Sequence, residues 1–135
     1  MTKGRSVRIG VCRESRKAKV MYTAIVLPRT IDPGKPREVQ TLLADQWRKL
    51  VLIHIRQGTL LADHSARVPI TVQAIVGTGI LRIGDDEYVL TPGVIVPIDA
   101  HVVHNVQASP DLTILVTFFR QPEQTGEPDT TARFE

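Results

Sequence analysis

The chain has 135 residues, a formal net charge of +3 and 42% hydrophobic residues, which fits one globular domain with a substantial core. The single cysteine, Cys12, excludes an intramolecular disulfide, so nothing in the sequence requires secretion. No apolar run approaches the roughly 20 residues of a membrane-spanning helix, and the basic N-terminus lacks the apolar region of a secretory signal. We therefore expect a soluble, cytoplasmic protein without a membrane partner.

The positive charge is concentrated at the N-terminus. Residues 1–20 contain seven lysines and arginines and one glutamate, a net +6, so the rest of the chain carries −3 of the total of +3. No aromatic residues alternate with these charges, as they do in many nucleic-acid-binding segments. We interpret residues 1–20 as a flexible basic arm and consider a nucleic-acid partner unlikely; contact with nucleic acid through charge alone is the alternative.

Residues 21–49 precede the part of the chain that is richest in β-formers. Residues 21–27 (MYTAIVL) are apolar and β-prone, which predicts an edge strand. Three prolines and a glycine follow within residues 28–36, and they exclude a continuous helix or central strand there. We expect residues 28–36 to follow an irregular path over the surface.

Residues 37–47 have a helix-like pattern. Their apolar side chains recur at roughly helical spacing, at Val39, Leu42, Leu43 and Trp47. This spacing predicts one short helix of a turn or two, and we expect no other helix. Trp47 is expected to pack on the wall of the β-domain that follows, with stacking on a ligand as the alternative.

Residues 50–119 consist of short apolar runs separated by turn residues. The runs are rich in Val, Ile, Leu and Thr and cover residues 50–56, 60–64, 70–76, 79–83, 87–90, 94–98 and 112–119. Runs of this length, closed by Gly, Pro or Asp, predict an all-β sandwich or barrel. The sequence Gly84-Asp85-Asp86 predicts a hairpin turn, and we interpret the acidic residues 85–87 as a solvated turn rather than a metal cluster.

Three of the four histidines flank these strands. His64 precedes the run at residues 70–76, while His101 and His104 follow the run at residues 94–98, so a barrel can bring them together at one mouth. His54 differs because it stands inside an apolar strand. We interpret His54 as a packed, hydrogen-bonded residue rather than a ligand.

In the first half of this region, Gly58, His64 and Gly77 stand at the first, second and last places of the order Gly, five residues, His, one residue, His, three or four residues, Glu, six residues, Gly. This spacing resembles the first sequence motif of the cupins, a family of small β-barrel proteins. Two ligand positions differ, because Ala66 takes the place of the second histidine and Ile70 the place of the glutamate.

The second half resembles the second cupin motif, which has the order Gly, five residues, Pro, one residue, Gly, two residues, His, three residues, Asn. Gly93 and His104 match its first and fourth fixed positions. The other three positions differ. Asp99 takes the place of the proline, His101 that of the glycine and Ala108 that of the asparagine.

The resemblance implies an all-β fold, a cupin-type jelly-roll barrel that covers residues 50–119. Residues 21–49 would then add the edge strand and the proline-rich segment to its surface. Residues 120–135, which are polar and contain prolines and a glycine, are interpreted as a flexible C-terminal tail.

The resemblance also places His64 and His104 close together in the barrel mouth. Cupin enzymes with the complete motif bind Zn, Fe, Ni or Mn through three histidines and a glutamate, of which this chain retains these two histidines. A catalytic metal usually needs three protein ligands, so a metal here would need a further ligand from His101, Asp99, Gln73 or water. Two expectations stay open: no cofactor, or a divalent metal that is weakly held.

Three functions are compatible with these residues. The first is binding of a small molecule in the barrel without metal catalysis, with hydrogen-bonding groups from His64, Gln73, Asp99, His101 and His104. The second is a metal-dependent enzyme of the dioxygenase or isomerase type. The third is a structural or regulatory dimer with a vestigial pocket. We expect a small-molecule ligand and a homodimer, since residues 112–119 are more apolar than one small sandwich needs and open edge strands favour pairing.

Overall fold

The structure is a computed structural model that describes residues 23–121. Within these residues there are seven strands and no helix: β1 (Arg37–Ala44), β2 (Arg48–Ile55), β3 (Leu60–His64), β4 (Ile70–Ile83), β5 (Asp86–Leu90), β6 (Ile95–Ile98) and β7 (His104–Phe119). Every strand pair is antiparallel. The predicted all-β fold is confirmed, and Gly84 and Asp85 form the predicted hairpin turn between β4 and β5.

Two long strands, β4 and β7, connect the two halves of the domain. The first part of β4 pairs with β6 and with the last part of β7, which also pairs with β2. The second part of β4 pairs with β5 and with the first part of β7, which also pairs with β3. Buried side chains from both groups of strands form one apolar cluster, so the two groups pack face to face around a single core.

The core follows the two-residue alternation of the strands. In β7 the side chains of Leu112, Ile114, Val116 and Phe118 have no exposed surface. In β4 the first residues alternate in the same way, since residues 70, 72 and 74 are buried and residues 71, 73 and 75 are half-buried on the opposite face. The register of β4 with β7 shifts twice near Gly77 and Gly79.

Residues 37–47 are not helical, so the predicted short helix is wrong. Residues 37–44 form the edge strand β1, whose register with β2 shifts at residues 41–43. This β-bulge interrupts the two-residue alternation, and the half-buried residues therefore come in two adjacent pairs, Glu38-Val39 and Leu42-Leu43. Pairs that repeat every four residues resemble the period of a helix, which explains the error.

Trp47 does not pack on the barrel wall, so that prediction is also wrong. It lies in the connection between β1 and β2, and 56% of its surface is exposed. The carboxylate of Asp45 accepts hydrogen bonds from the backbone N–H groups of Trp47 and Arg48, both at 2.9 Å. These bonds fix a tight turn, and the indole projects from the turn rather than from the face of a strand.

The described residues before β1, residues 23–36, contain no strand. Residues 23–28 are the start of the described chain and are not part of the sheet, so the described portion of the predicted edge strand at residues 21–27 is not found. Residues 29–36 contain bends only. They are held against β2 by Arg56, whose guanidinium donates to backbone carbonyls of this segment.

Several predictions concern parts of the chain outside the described residues. The basic arm at residues 1–20, Cys12 and nearly all of the C-terminal tail belong to this group. Over residues 23–121 no helix is long and apolar enough to cross a membrane. The homodimer stays a prediction, and a mass of about 15 kDa by light scattering at micromolar concentration would contradict it.

Candidate functional site

A β-bulge in β3 brings His64 next to His104. Leu61 on β3 pairs with Val106 on β7, and His64 pairs with His104, so three residue steps on β3 match two steps on β7. The extra residue places His64 on the same face of β3 as the buried Leu61; with regular alternation that position would belong to Asp63. The predicted proximity of the two histidines is therefore realised through a local irregularity of the strand.

The two imidazole rings are in direct contact. Their centroids are 4.3 Å apart and the ring planes make an angle of 66°. Nδ1 of His64 donates to the backbone carbonyl of Ala62 at 2.6 Å, and Nδ1 of His104 donates to that of Val102 at 3.0 Å. A carbonyl oxygen only accepts, so both bonds require the proton on Nδ1, and in the neutral rings both Nε2 atoms carry the lone pair.

Burial keeps both rings neutral. His104 is 1% exposed, and the Nε2 atoms of both histidines are buried. Desolvation lowers the pKa of His64 and of His104 below the usual value of 6.5, against the opposing effect of the two carbonyl hydrogen bonds. Arg37 further lowers the pKa of His64, and Asp63 raises that of both rings.

The stability of the protein should therefore decrease as the pH falls from 7 towards 5. A histidine with a lowered folded-state pKa contributes fully above its unfolded value of 6.5, and this contribution is lost as the unfolded chain takes up protons that the folded chain does not. Each such group contributes a slope of at most about 1.4 kcal/mol per pH unit. Urea unfolding between pH 5 and 8 measures this pH dependence. The double substitution His64→Phe and His104→Phe should reduce the slope to the part that His54, whose pKa is also lowered, contributes. An unchanged slope in that variant would contradict this assignment.

His54 is half-buried and hydrogen-bonded, as predicted. Its Nδ1 lies 2.8 Å from the hydroxyl of the fully buried Thr113, on the face of β2 opposite the core. Desolvation lowers the pKa of His54 as well, with a further contribution from Arg56. This hydrogen bond joins β2 to β7 outside the histidine pair.

The other predicted ligand-binding residues do not join the pair. Gln73 lies on the face of β4 opposite the buried residues Val72 and Ala74, and it is half-buried there. Asp99 and His101 are exposed in the loop between β6 and β7. His101 has a positive φ of 70°, and its backbone N–H donates to the carbonyl of Ala66 at 2.6 Å. The backbone of His101 therefore fixes this loop, while its side chain points to the surface.

Three charged residues that act on the histidine pair or lie on the core face were not predicted from the sequence. Asp63 and Arg37 act on the pKa values of the pair, and Asp63 also accepts a hydrogen bond from the Asn105 side chain at 2.8 Å. Lys49 is 7% exposed, and its Nζ lies 5.7 Å from the centroid of the Phe118 ring, within the range of a cation–π contact. Extending the alternation of Val51 and Ile53 back by two residues would have placed Lys49 on the core face.

The structure resembles solved proteins of one fold. A cupin superfamily protein from Desulfitobacterium hafniense aligns with 73% of this chain and 100% of its own, with a TM-score of 0.60 and 12% identity. An RmlC-like cupin from Desulfovibrio desulfuricans aligns with 74% of this chain and 97% of its own, with a TM-score of 0.63 and 19% identity. This chain has the cupin fold. The sequence resemblance to the cupins is thus confirmed for the jelly-roll barrel.

A further cupin with this fold is the Cupin_2 domain of an XRE family transcriptional regulator from Enterobacter cloacae. It aligns with 64% of this chain and 99% of its own, with a TM-score of 0.57 and 19% identity. The sequence of this chain matches no protein-family model and no curated protein. At these levels of identity the likeness establishes the fold alone.

The complete metal site of cupin enzymes does not fit this cupin barrel. Ala66 and Ile70, which stand at two of the four ligand positions, are 5% and 2% exposed and belong to the apolar core. Among residues 23–121 no group of three or more His, Cys, Asp or Glu side chains is arranged to hold a metal ion. His64 and His104 alone fall short of the three protein ligands that a catalytic metal usually needs.

Proposed function

We propose that this chain is a small-molecule-binding cupin that holds its ligand in the barrel through His64 and His104, without a catalytic metal. The observation that carries the proposal is the contact of the buried His104 imidazole with the half-buried His64 imidazole, whose Nδ1 atoms are both oriented by backbone carbonyls. An apolar interior with a few oriented polar groups is the usual form of a small-molecule site.

The energetics of the pair also support a functional role. Both rings are partly or fully removed from water at a desolvation cost, which their lowered pKa values reflect. Two aliphatic side chains would fill this part of the core without that cost, as Leu61 and Val106 do at the neighbouring pair. Polar groups that reduce stability and have perturbed pKa values are concentrated at functional sites.

The metal-dependent enzyme is the alternative that Ala66 and Ile70 disfavour. These side chains supply no ligand atom, so two imidazoles and water would hold a metal weakly. We expect the purified protein, without a histidine tag, to contain far less than one equivalent of Zn, Fe, Ni or Mn. A chelator should leave its melting temperature unchanged, because the folded state does not depend on the metal.

The decisive experiment combines metal analysis with a ligand screen. Elemental analysis and titration with the four metals are carried out on the wild type and on His64→Ala and His104→Ala. Stoichiometric, tight metal that either substitution abolishes would overturn the proposal in favour of an enzyme. A library of small organic molecules is then screened by thermal shift in the presence of chelator. Compounds should stabilise the wild type but not His104→Ala, and a screen without such a compound would contradict ligand binding.

His54→Gln is the matched control for this screen. His54 is a half-buried histidine of the same barrel, but it lies on the opposite face of β2 from the core and bonds to Thr113. Glutamine retains a group that can hydrogen-bond to the hydroxyl of Thr113. Ligand-induced shifts should persist in this variant, and their loss would show that the effect is not specific to the pair.

A regulatory role is compatible with ligand binding. The Enterobacter cloacae domain is part of a transcriptional regulator, as its name states. A small cupin domain can thus occur in a protein that controls transcription. For the present chain, a regulatory role would require a homodimer that binds a small molecule. A ligand-dependent change of mass in light scattering would support this regulatory role.

A further inference from the structure

We infer that the outer face of one half of the barrel is the surface on which a second copy of this chain packs, so that two barrels associate face to face about a two-fold axis. This outer face belongs to β1, β2, β6 and the parts of β4 and β7 that pair with them. The inference concerns a surface away from the histidine pair and does not depend on ligand binding.

This outer face has no charged residue over two neighbouring rows of cross-strand partners. Each row crosses the strands in the order β1, β2, β7, β4 and β6. The first row consists of Leu43, Leu50, Thr117, Thr71 and Pro97. The second row consists of Gln40, Leu52, Leu115, Gln73 and Ile95. We call these ten residues the uncharged face; at a strand spacing of about 4.8 Å it extends about 20 Å across the sheet.

The uncharged face keeps accessible surface that a partner can cover. Ile95 is 53% exposed, and Gln40 and Pro97 at the two edges are also exposed. Leu52 is 4% exposed, and the other six residues are half-buried. An accessible surface of this width, without a charge and with six apolar side chains among ten, is typical of an interaction surface.

The outer face of the other half of the barrel has the opposite character. There Asp63, Asn105, Arg82 and Glu87 form a hydrogen-bonded row across β3, β7, β4 and β5, with distances of 2.8, 3.3 and 3.1 Å between successive side chains. Polar and charged side chains of this kind are typical of the solvated face of an antiparallel sheet. The difference between the two outer faces indicates that the uncharged one is covered in the assembled protein.

The charges around the uncharged face favour a second copy as the partner. An uncharged surface can pack on itself without bringing like charges together, as a two-fold contact requires. Glu38 lies one row beyond this face at one end and Arg48 one row beyond it at the other end. Their side chains are 43% and 59% exposed.

The symmetry of the contact follows from these two charges. A two-fold axis that runs across the strands reverses the strand direction in the second copy. The end of the face at Glu38 then meets the end at Arg48 of the other copy, and opposite charges approach each other on both sides of the axis. Sheets packed in this way have nearly aligned strands and lie about 10 Å apart.

Single charges placed on the two outer faces test the inference. Leu115→Glu and Ile95→Glu each add a carboxylate to the uncharged face, and the two-fold axis brings two such carboxylates together. The matched control is Val89→Glu. Val89 is also an aliphatic residue of an edge strand and is 66% exposed, but it lies on the charged outer face, on β5. Sedimentation equilibrium of the untagged full chain at micromolar concentrations measures the mass, and circular dichroism verifies that each variant is folded.

The wild type and Val89→Glu should have a mass near twice the 15.0 kDa of one chain. The dissociation constant of the dimer should rise at least about a hundredfold in Leu115→Glu and at least about tenfold in Ile95→Glu, which lies at the margin, because like charges meet in the contact. An equal mixture of Leu115→Glu and Leu115→Lys should recover a dimer with one copy of each variant, which native mass spectrometry detects. Ile95→Glu keeps the inference testable if Leu115→Glu fails to fold.

Three outcomes would overturn the inference. A wild type with the mass of one chain at every concentration would show that a second copy does not cover the uncharged face. A dimer that persists in both Leu115→Glu and Ile95→Glu would place the contact elsewhere. Equal weakening by Val89→Glu would show that the uncharged face has no special role. Small-molecule binding is unaffected by these outcomes, since the library screen tests it separately.

Discussion

Replacing Arg56 with methionine should lower the free energy of unfolding by about 2–4 kcal/mol. The Arg56 side chain is 7% exposed. Its Nε donates to the carbonyl of Asp32 at 2.7 Å, and its Nη1 donates to the carbonyl of Lys35 at 2.8 Å and to the carboxylate of Glu38 at 2.5 Å. Methionine fills the volume of the aliphatic stem but leaves two backbone carbonyls of the segment without their donors.

The effect should be greatest in residues 29–36. These residues contain no strand or helix, so their position against β2 depends on side-chain contacts such as those of Arg56. Urea unfolding followed by far-ultraviolet circular dichroism measures the overall loss. Limited proteolysis should show earlier cleavage within residues 29–36 of the variant, because a detached segment is accessible to a protease.

Arg48→Met is the matched control for this prediction. Arg48 also forms an ion pair, with Asp45 at 2.9 Å, but its side chain is 59% exposed. Exposed ion pairs contribute little to stability because water screens the charges. The urea unfolding midpoint of Arg48→Met should therefore stay close to that of the wild type. If Arg48→Met and Arg56→Met caused equal losses, burial of the guanidinium would not be the reason for the effect.

The pKa of Glu38 provides a second measurement of the contact between Arg56 and Glu38. The hydrogen bond from Arg56 lowers the pKa of Glu38 below its usual value, with the charge of Arg56 as a smaller cause. A carboxylate with a lowered folded-state pKa contributes stability above its unfolded pKa, and the contribution is lost as the pH falls through the folded value. In Arg56→Met the pKa of Glu38 should rise towards its usual value, which carboxyl NMR titration measures.

The strands could largely be predicted from the sequence because turn residues mark their ends. Gly84 and Asp85, for example, connect two apolar runs that pair as a hairpin. The continuity of the long strands could not be predicted. Residues 104–119 form the single strand β7, although the sequence Ser109-Pro110-Asp111 inside it is typical of a turn. A long strand that pairs with two groups of strands retains turn-forming residues where it passes from one group to the other. Sequence patterns do not distinguish such a point within one strand from a turn between two strands.

Two β-bulges had opposite effects on the predictions. The bulge at residues 41–43 in β1 gave paired half-buried residues and led to the incorrect helix. The bulge between Leu61 and His64 places His64 on the core face, but strict alternation from Leu61 would have directed it outwards. The proximity of His64 and His104 was therefore predictable from their positions at the ends of strands and from the spacing of the cupin motifs, but not from strand period.

The members of the candidate site could be predicted only in part. The two histidines that match the motifs are in contact, whereas Asp99 and His101, which stand where the motif has proline and glycine, are exposed. A loop histidine can point into a barrel or away from it, and the composition of the loop does not decide between them. The proton positions of the two imidazole rings depend on the carbonyls of Ala62 and Val102, and backbone geometry of this kind has no signal in the sequence.

The substitution Gly77→Ala should lower the free energy of unfolding by about 2–5 kcal/mol. Gly77 has a φ of +82°, and a Cβ there would collide with the carbonyl oxygen of Asp111 in β7 and lie 3.0 Å from Cδ1 of Ile31. The matched control is Gly58→Ala, where φ is +69° but nothing lies within 4 Å of the added Cβ. This control has only the cost of the left-handed conformation, about 1 kcal/mol. Urea unfolding at pH 7 compares both variants with the wild type. Equal losses would show that β4 and β7 can separate at this bend without cost and would contradict the close backbone contact.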